Sequence, residues 1–147
     1  MKKLYILLIF NTFLCFSQSK TIYDFDKLIE SNPKDVSNYY SRGLLKASKY
    51  DFAGAIKDFN VVIIDNKRNL EALYNRALSK AELNDFTGAI ADLTTILKFD
   101  SKKSDIYFKR SFLYASQGNK TNACLDARKA YSLGSVDAKS LINMLCN

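Results

Sequence analysis

Apolar residues recur along the chain at three- and four-residue spacing, which is typical of amphipathic helices that bury one face. In the first such segment, Phe25, Leu28 and Ile29 fall on one side of a helix drawn over residues 21–31. Similar segments follow, with short polar connections between them. The pattern predicts eight helices over residues 21–31, 36–48, 51–64, 69–82, 85–98, 104–116, 119–133 and 136–145, with residue 101 as an alternative start of the sixth.

Short polar side chains mark where these helices should begin, because they can accept hydrogen bonds from the free N–H groups of a first turn. Breaks in the pattern mark the helix ends. Pro33 disfavours helical backbone at the residue before it, and Gly134 suits a left-handed C-terminal cap. The predicted capping residues are Asp35, Asp51, Asn69, Asp85 and Asn119.

The helical segments also repeat. The sequence DFAGAIKD at 51–58 returns as DFTGAIAD at 85–92, so that position 85 repeats position 51 with a 34-residue period. Arg42, Arg76 and Arg110 keep the same interval, and a third copy, after residue 104, is weaker. Self-similarity at a fixed period indicates an array of stacked units, each too small to bury its apolar face alone.

Paired antiparallel helices with this period resemble the tetratricopeptide-repeat family, over about residues 20–135. The resemblance rests on small residues in the first helix of each pair and on an aromatic–small–Gly–Ala signature in the second. The third copy departs from the pattern at Lys120, where an aromatic residue is expected, and at Ala127, where a bulky ring is expected. The resemblance implies an all-α solenoid of antiparallel helix hairpins. The positions that carry it are Gly43, Ala77 and Ser111, then 52–55 and 86–89.

Register with the repeat predicts one domain, residues 18–147, after an N-terminal segment, 1–17. Residues 20–33 lie in register with a second helix and are predicted to cover the first repeat as an N-terminal capping helix. The last helix should cover the third repeat, because a solenoid needs terminal caps. The predicted repeats and the C-terminal capping helix are 36–69, 70–103, 104–135 and 136–147.

Packing inside the array should depend on small and aromatic side chains. Two antiparallel helices approach closely only where both carry small residues. The pairs expected to meet are Gly43 with Ala55 and Ala77 with Ala89. Rings in the second helices are expected to fill the space between one hairpin and the next. These rings are Phe52, Phe59 and Phe86.

Acidic and basic residues recur with the repeat as well. The acidic residues are Asp58, Asp92 and Asp126. They are matched by the three repeat-spaced arginines, which predicts a structural ladder of ion pairs rather than a row of catalytic carboxylates. The sequence leaves open whether Arg76 pairs with Asp92 of its own hairpin or with Asp58 of the preceding one.

Histidine is missing from the chain, which excludes Cys–His pairs, Ser–His–Asp triads and histidine metal sites within it. The sequence also shows no glycine-rich phosphate loop and no cluster of metal-ligating residues. We therefore predict no catalytic residue, no metal site and no cofactor.

Residues 1–17 have the pattern of a secretory signal peptide. Two lysines precede an apolar run, 4–16, and the small residues Cys15 and Ser17 favour cleavage before Gln18. The run is shorter than the roughly 20 residues of a membrane-spanning helix. An uncleaved anchor and lipidation of Cys15 are the alternatives. We expect an exported protein, periplasmic or secreted, with no stable membrane span after cleavage.

The formal net charge is +7, and loss of the two N-terminal lysines with the signal leaves +5. The excess lies in residues 98–130, which contain eight Lys or Arg and three Asp. Such a surface can attract an acidic partner or an anionic membrane; the alternative is a solvated surface without a partner. No nucleic-acid recognition motif is visible, so nucleic acid is not an expected partner.

The resemblance implies a concave face, formed by the first helices, which holds peptides in this family. The matching residues are mainly aromatic and aliphatic, with Glu82 at the edge, and suit an extended or helical peptide. The alternative is that the rings pack between adjacent first helices and expose little. The predicted peptide-binding residues are Tyr40, Leu44, Tyr74, Asn75, Leu78, Phe108, Lys109 and Phe112.

These features predict an exported, non-enzymatic interaction module that binds a peptide or protein segment. The alternative is a structural subunit that assembles through the ends of the solenoid. Cys124 and Cys146 are the only cysteines left once Cys15 is removed, and an even pair in an exported protein is a disulfide candidate. Antiparallel helices around the turn at Gly134 would bring the two cysteines level. Two free thiols are the alternative.

Overall fold

Eight α-helices and no β-strand make up residues 20–146, the part of the chain that the structure, a computed structural model, describes. The predicted all-α class is confirmed. The predicted signal peptide lies outside the described residues. The helices are α1 (Ile22–Ser31), α2 (Val36–Ser48), α3 (Phe52–Asp65), α4 (Leu70–Glu82), α5 (Phe86–Phe99), α6 (Ser104–Ser116), α7 (Lys120–Ser132) and α8 (Ala138–Leu145).

The predicted capping side chains stabilise the helix N-termini. The Asp51 carboxylate accepts a hydrogen bond from the Gly54 N–H at 2.9 Å, and Asp35 accepts one from Ser37 at 3.1 Å. Gly134 follows the end of α7 with a φ of 97°, as predicted. The three-residue capping geometry of Asp51 recurs at Asn69, Asp85 and Asn119.

Three helix starts have features that the sequence pattern does not indicate, although α6 begins at Ser104 as predicted. α6 begins at Ser104 with Lys103 as its N-cap, and neither Ser101 nor Ser104 caps it. A lysine side chain offers no acceptor, so this N-terminus has no side-chain cap. α1 starts with a reciprocal capping box between Thr21 and Asp24, which the hydrophobic pattern does not indicate. α8 begins two residues later than predicted.

The first helix of each hairpin is followed by a residue with left-handed backbone. After α2 this residue is Tyr50, and the N–H of the next residue, Asp51, donates to the Lys46 carbonyl at 2.9 Å. Left-handed backbone costs a residue with a side chain about 1–2 kcal/mol, so the turn rather than the residue type sets the conformation of Tyr50. The left-handed residues are Tyr50, Asn84 and Gly118, with φ of 64°, 61° and 74°.

The helices stack in chain order. α2–α3, α4–α5 and α6–α7 form three hairpins, which pack on one another through α3 against α4 and α5 against α6. α1 packs on α2, and α8 packs on α7, so a single helix lies at each end. The first helices α2 and α4 also touch. Contacts between neighbouring hairpins are typical of a solenoid. The central buried cluster contains Leu73, Ala77, Ala89, Leu93, Ile96, Leu97 and Ile106.

In the first hairpin, the glycine of the close-approach position lies against an aromatic ring. A Cβ atom on Gly43 would lie 2.8 Å from Cε1 of Phe59, which is closer than such atoms pack. The fully buried Phe59 ring thus fills the space beside the glycine, and the expected approach of Gly43 to Ala55 stays a prediction. Phe52 and Phe86, the other rings expected between hairpins, are half-buried.

The position of that ring changes from one hairpin to the next. Phe59 of α3 is followed one repeat later by Leu93 in α5 and two repeats later by Ala127 in α7, and all three are almost fully buried. The side-chain volume at this position therefore falls towards the C-terminus. In the third hairpin, the buried Ser111 hydroxyl donates to the Ala123 carbonyl at 2.9 Å, which satisfies a polar group at the close-approach position.

The ion-pair ladder is present, and each pair forms within one hairpin. Arg76 donates from Nε and Nη2 to the two carboxylate oxygens of Asp92, at 2.9 and 2.5 Å. Asp58, the alternative partner of Arg76 in the sequence, is bound by Arg42. The third bidentate pair is Arg110 with Asp126.

Each ladder arginine also contacts the preceding second helix. Nη1 of Arg76 donates to Oδ1 of Asn60 in α3, at 2.7 Å. Each arginine therefore joins the two helices of its hairpin and links that hairpin to the helix before it. The acceptors at the equivalent position of the neighbouring repeats are Asp26 for Arg42 and Thr94 for Arg110.

We expect strong coupling between Arg76 and Asp92, because their side chains are only 18% and 6% exposed. A double-mutant cycle with Arg76→Ala and Asp92→Ala, measured by urea unfolding, should give a coupling energy of about 1–3 kcal/mol. The exposed pair Lys27–Glu30 of α1 is the control and should show no measurable coupling. Zero coupling between Arg76 and Asp92 would show that the ladder contributes nothing to stability.

Candidate functional site

Two neighbouring pockets open on the face formed by the first helices. The pocket that we call polar, for its hydrogen-bonding side chains, has a volume of about 260 Å³. It is lined by Tyr40, Glu71, Tyr74, Asn75, Lys103 and Asp105, and also by the apolar residues Leu70, Ile96 and Ile106. The apolar pocket has a volume of about 350 Å³ and is lined chiefly by Leu78, Ala81, Glu82, Lys109, Phe112 and Leu113. The N-terminal half of α4 contributes to the first pocket and its C-terminal half to the second.

Hydrogen bonds and carboxylates define the polar pocket. The Asn75 side-chain amide donates to the Tyr40 hydroxyl at 3.1 Å and to the Glu71 backbone carbonyl at 3.0 Å. Burial raises the pKa of Tyr40 and of Tyr74, and the nearby carboxylates of Glu71 and Asp105 raise the two pKa values further. Both phenol groups therefore stay neutral at physiological pH, and each can donate a hydrogen bond to a ligand and accept one from it.

An exposed ring defines the apolar pocket. Phe112 remains 45% exposed, and its ring meets that of Phe108 edge-on with 5.0 Å between centroids. Leu78 and Leu113 line the pocket beside it, and the exposed Lys109 contributes a charge. Exposed apolar surface next to a cavity is typical of binding sites, because a partner that covers it removes that surface from water.

Six of the eight predicted peptide-binding residues line these two pockets. Tyr40, Tyr74 and Asn75 line the polar pocket, and Leu78, Lys109 and Phe112 line the apolar pocket. Leu44 is exposed and lines neither of the two, while Phe108 packs against Phe112 without lining either.

Tyr40 and Tyr74 combine the two roles that the sequence leaves open, packing between helices and exposure to a ligand. The Tyr40 ring lies 5.9 Å from that of Phe59, and Tyr74 packs against the central buried cluster. Each tyrosine is nevertheless only half-buried and lines the polar pocket. Packing between helices and exposure to a ligand are therefore compatible at these positions.

Three charged residues of the polar pocket were missed by sequence reasoning: Glu71, Lys103 and Asp105. Glu71 and Asp105 each occupy the second position of a first helix, one repeat apart. Their separation by one repeat is a sequence signal that could have pointed to a shared position on the first-helix face. First-turn acids are common, however, because they interact favourably with the helix dipole, so their spacing alone does not indicate a site.

A disulfide joins Cys124 of α7 to Cys146 at the end of α8, with 5.3 Å between the two Cα atoms. These are the two cysteines that the sequence pairs. The bond lies among Lys120, Leu125 and Arg128, away from the polar and apolar pockets. Its position indicates a structural role, since it attaches the last helix to the third hairpin.

Within residues 20–146, no helix is long and apolar enough to cross a membrane. The same part of the chain contains no group of three or more His, Cys, Asp or Glu residues placed to bind a metal ion. Every buried side-chain nitrogen or oxygen atom there has a hydrogen-bond partner.

Comparison with protein-family models gives no match, and comparison with curated protein sequences gives none. Solved structures are similar in fold. The crystal structure of MamA matches with a TM-score of 0.79 and 19% sequence identity, covering 84% of this chain and 74% of that one. The tetratricopeptide-repeat domain of Arabidopsis OM64 matches with a TM-score of 0.68 and 23% identity, covering 75% of this chain and 93% of that one.

A tetratricopeptide repeat protein from Parabacteroides merdae ATCC 43184 matches with a TM-score of 0.78 and 19% identity. The match covers 84% of this chain and 50% of that one, so this chain spans about half the length of the Parabacteroides protein. Sequence identities of this size establish a common architecture and not a common ligand. The chain has the tetratricopeptide-repeat fold that its periodic sequence predicts.

Proposed function

We propose that this protein is an interaction module that binds a peptide or protein segment on the face formed by α2, α4 and α6. The pair of adjacent pockets on that face carries the proposal. A solenoid presents an extended surface on stacked helices, and such a surface favours an elongated ligand over a compact small molecule.

The spacing of the pockets favours a peptide of defined pattern. Residues of α4 that line the two pockets, such as Tyr74 and Ala81, are seven positions apart. Seven residues of helix extend over roughly 10 Å. A peptide in the polyproline-II conformation advances about 3.1 Å per residue with three residues per turn, so side chains three residues apart lie on one side, about 9 Å from each other, and could enter the two pockets. The apolar pocket suits an aliphatic or aromatic side chain, and the polar pocket suits one with hydrogen-bonding groups.

The proposal includes a non-enzymatic role outside the cytoplasm. The lack of histidine supports a binding role, because the commonest general acid–base side chain is missing. The signal-like pattern of residues 1–17 supports export. The disulfide between Cys124 and Cys146 also supports export, since disulfides persist mainly in oxidising compartments.

Selection from a random peptide library displayed on phage would supply defined ligands for a test. Enriched peptides are synthesised with a fluorescent label, and their affinity is measured by fluorescence anisotropy. Phe112→Ala is the test variant and Tyr131→Ala in α7 is the matched control. The two rings are 45% and 48% exposed, and of the two only Phe112 lines the apolar pocket.

Phe112→Ala should weaken binding of the selected peptides by about tenfold or more, as truncation of an interface aromatic residue typically does. Tyr131→Ala should leave the affinity unchanged. Both variants should retain the helical circular dichroism of the wild type, because the two rings contribute little to the core. If no peptide is enriched, or if Phe112→Ala binds as tightly as the control, the first-helix face is not the binding site.

A further inference from the structure

The stack begins with the second half of a hairpin. The C-cap of α1, Asn32, has φ and ψ of −143° and 83°, close to the −134° and 98° of Asn66 at the end of α3. Asp26 of α1 accepts a hydrogen bond from Arg42, as Asn60 of α3 does from the next ladder arginine. α1 is therefore a second helix by geometry, and no first helix precedes it within the described residues.

The stack ends with the first half of a hairpin. α8 starts at Ala138, one repeat after the start of α6 at Ser104, and its N-cap Asp137 keeps the register of Lys103. α8 packs on α7 as α6 packs on α5. α8 is therefore a first helix, and no second helix follows it within the described residues.

The surfaces of α1 and α8 that face no helix within residues 20–146 are incompletely covered. Phe59 and Val62 of α3 are buried against their first helix, whereas Phe25 and Leu28 at the same repeat positions of α1 are only half-buried. None of the residues of α1 is fully buried. In α8, Met144 occupies the position of the ladder arginines and is 73% exposed. Each end of the stack thus presents an apolar helix face without a partner in the described chain.

The two incomplete ends also correspond in length and position. α1 matches the last ten residues of α3, and α8 matches the first eight residues of α2. In an antiparallel hairpin, the start of the first helix lies beside the end of the second, as the contact of Tyr40 with Phe59 shows. α8 therefore corresponds to the start of a first helix, and α1 corresponds to the end of a second helix, which are the two segments that pack together in a hairpin.

We propose that this protein assembles head to tail, with α8 of one copy packed against α1 of the next, so that each junction completes a hairpin. By the repeat register, Met144 would then lie beside Asp24 of the neighbouring copy, and Ile142, which matches Tyr40, would lie beside Phe25, which matches Phe59. No arginine is needed at this junction. The carboxylate that a ladder arginine would bind belongs to Asp24, which instead accepts hydrogen bonds from Thr21 in the capping box.

Charge complementarity also favours a second copy as the occupant. α1 contains three carboxylates and one lysine, whereas α8 contains one lysine and no carboxylate, so the two helices carry opposite net charge and attract weakly. Two short helices bury less than the roughly 1,200 Å² of a standard interface, which predicts association that depends on protein concentration. The contact is heterologous, and it extends into an open chain of copies unless the rotation between them closes a ring.

Sedimentation velocity over a series of concentrations tests the proposal. The full chain is expressed in an exporting bacterium and purified as the cell processes it, so that the disulfide can form. The wild type should shift from monomer to longer species as its concentration rises. Met144→Glu should raise the dissociation constant about tenfold or more. Val136→Glu is the matched control, because Val136 is 78% exposed and precedes α8, and it should associate as the wild type does.

Mixing two variants distinguishes a head-to-tail contact from a symmetric one. Met144→Glu retains an intact α1, and Leu28→Glu retains an intact α8, so neither should associate alone while an equimolar mixture forms a dimer and nothing longer. A symmetric contact through one end would let one of these variants self-associate, and this result overturns the proposal. If Leu28→Glu loses helical circular dichroism, the comparison of Met144→Glu with Val136→Glu decides.

Three further outcomes are informative. A wild type that stays monomeric at every concentration overturns the proposal, as does unchanged association of Met144→Glu. In the latter case, another protein rather than a second copy remains a candidate to cover α8. Phe112→Ala should assemble as the wild type does, because the apolar pocket does not include α1 or α8. Assembly and peptide binding can therefore fail or succeed independently.

Discussion

Phe59→Ala is expected to lower the free energy of unfolding by about 3–5 kcal/mol, which is enough to unfold a domain of ordinary stability. Phe59 is fully buried and packs beside Gly43 and Tyr40. Removal of the ring leaves a cavity next to a residue without a side chain, so the first hairpin cannot fill the space by rotating a neighbour. Urea unfolding followed by far-ultraviolet circular dichroism would measure the loss.

Phe112→Ala is the natural control for this experiment, because it truncates the same residue type where the ring is half exposed. Phe112→Ala should lower the free energy of unfolding much less than Phe59→Ala does, by no more than the roughly 1 kcal/mol expected for a residue outside the core. Equal losses for the two variants would contradict the central role of Phe59. Leu93→Ala, at the same repeat position in α5, should fall between them in the second hairpin, since a smaller side chain is removed.

Replacement of Cys124 and Cys146 by Ala together is expected to cost about 3 kcal/mol of unfolding free energy, because the cross-link removes roughly that much conformational entropy from the unfolded chain. The disulfide has a sequence separation of 22, which sets the size of this effect. The third hairpin depends on this contribution, because Ala127 stands there in place of the Phe59 ring. The bond attaches α8 to the hairpin with the smallest side chain at this position.

Thermal unfolding with and without a reductant provides the measurement and its control. Reduction should lower the melting temperature of the wild type and leave that of the double alanine variant unchanged. A wild type that melts at the same temperature in both conditions would show that the bond adds no stability. Peptide affinity of the folded variant should match the wild type, because α7 and α8 line neither of the two first-helix pockets.

The sequence by itself determined the helices, their order and their stacking, because the signals involved are local or periodic. A cap such as Asp51 acts on an N–H group three residues away, and the apolar spacing of each segment selects the face that it buries. The repeat period then implies the architecture, since each unit of a solenoid contacts only its neighbours. The pairing of Cys124 with Cys146 could be predicted for the same reason, as one short turn connects their helices.

Only the tertiary structure decided which side chains meet across helices. The sequence did not place the Phe59 ring against Gly43, where the structure has it, because contact depends on how far each helix is rotated about its axis. Arg76 binds Asp92 within its hairpin and reaches Asn60 across the junction, a choice that repeat spacing leaves open. These outcomes depend on the packing of several helices at once.

The residues of the candidate site could likewise be predicted only in part from the sequence. The resemblance to the tetratricopeptide-repeat family placed Tyr74 and Phe112 on the first-helix face, since the positions that form this face are the same in each repeat. The acidic character of the polar pocket, with Glu71 and Asp105, could not be predicted, because a pocket is a gap between helices whose size depends on their separation. The faces of α1 and α8 that have no partner within residues 20–146 likewise became visible only once the helices around them were in place, because burial is a property of the whole assembly of helices and not of a segment.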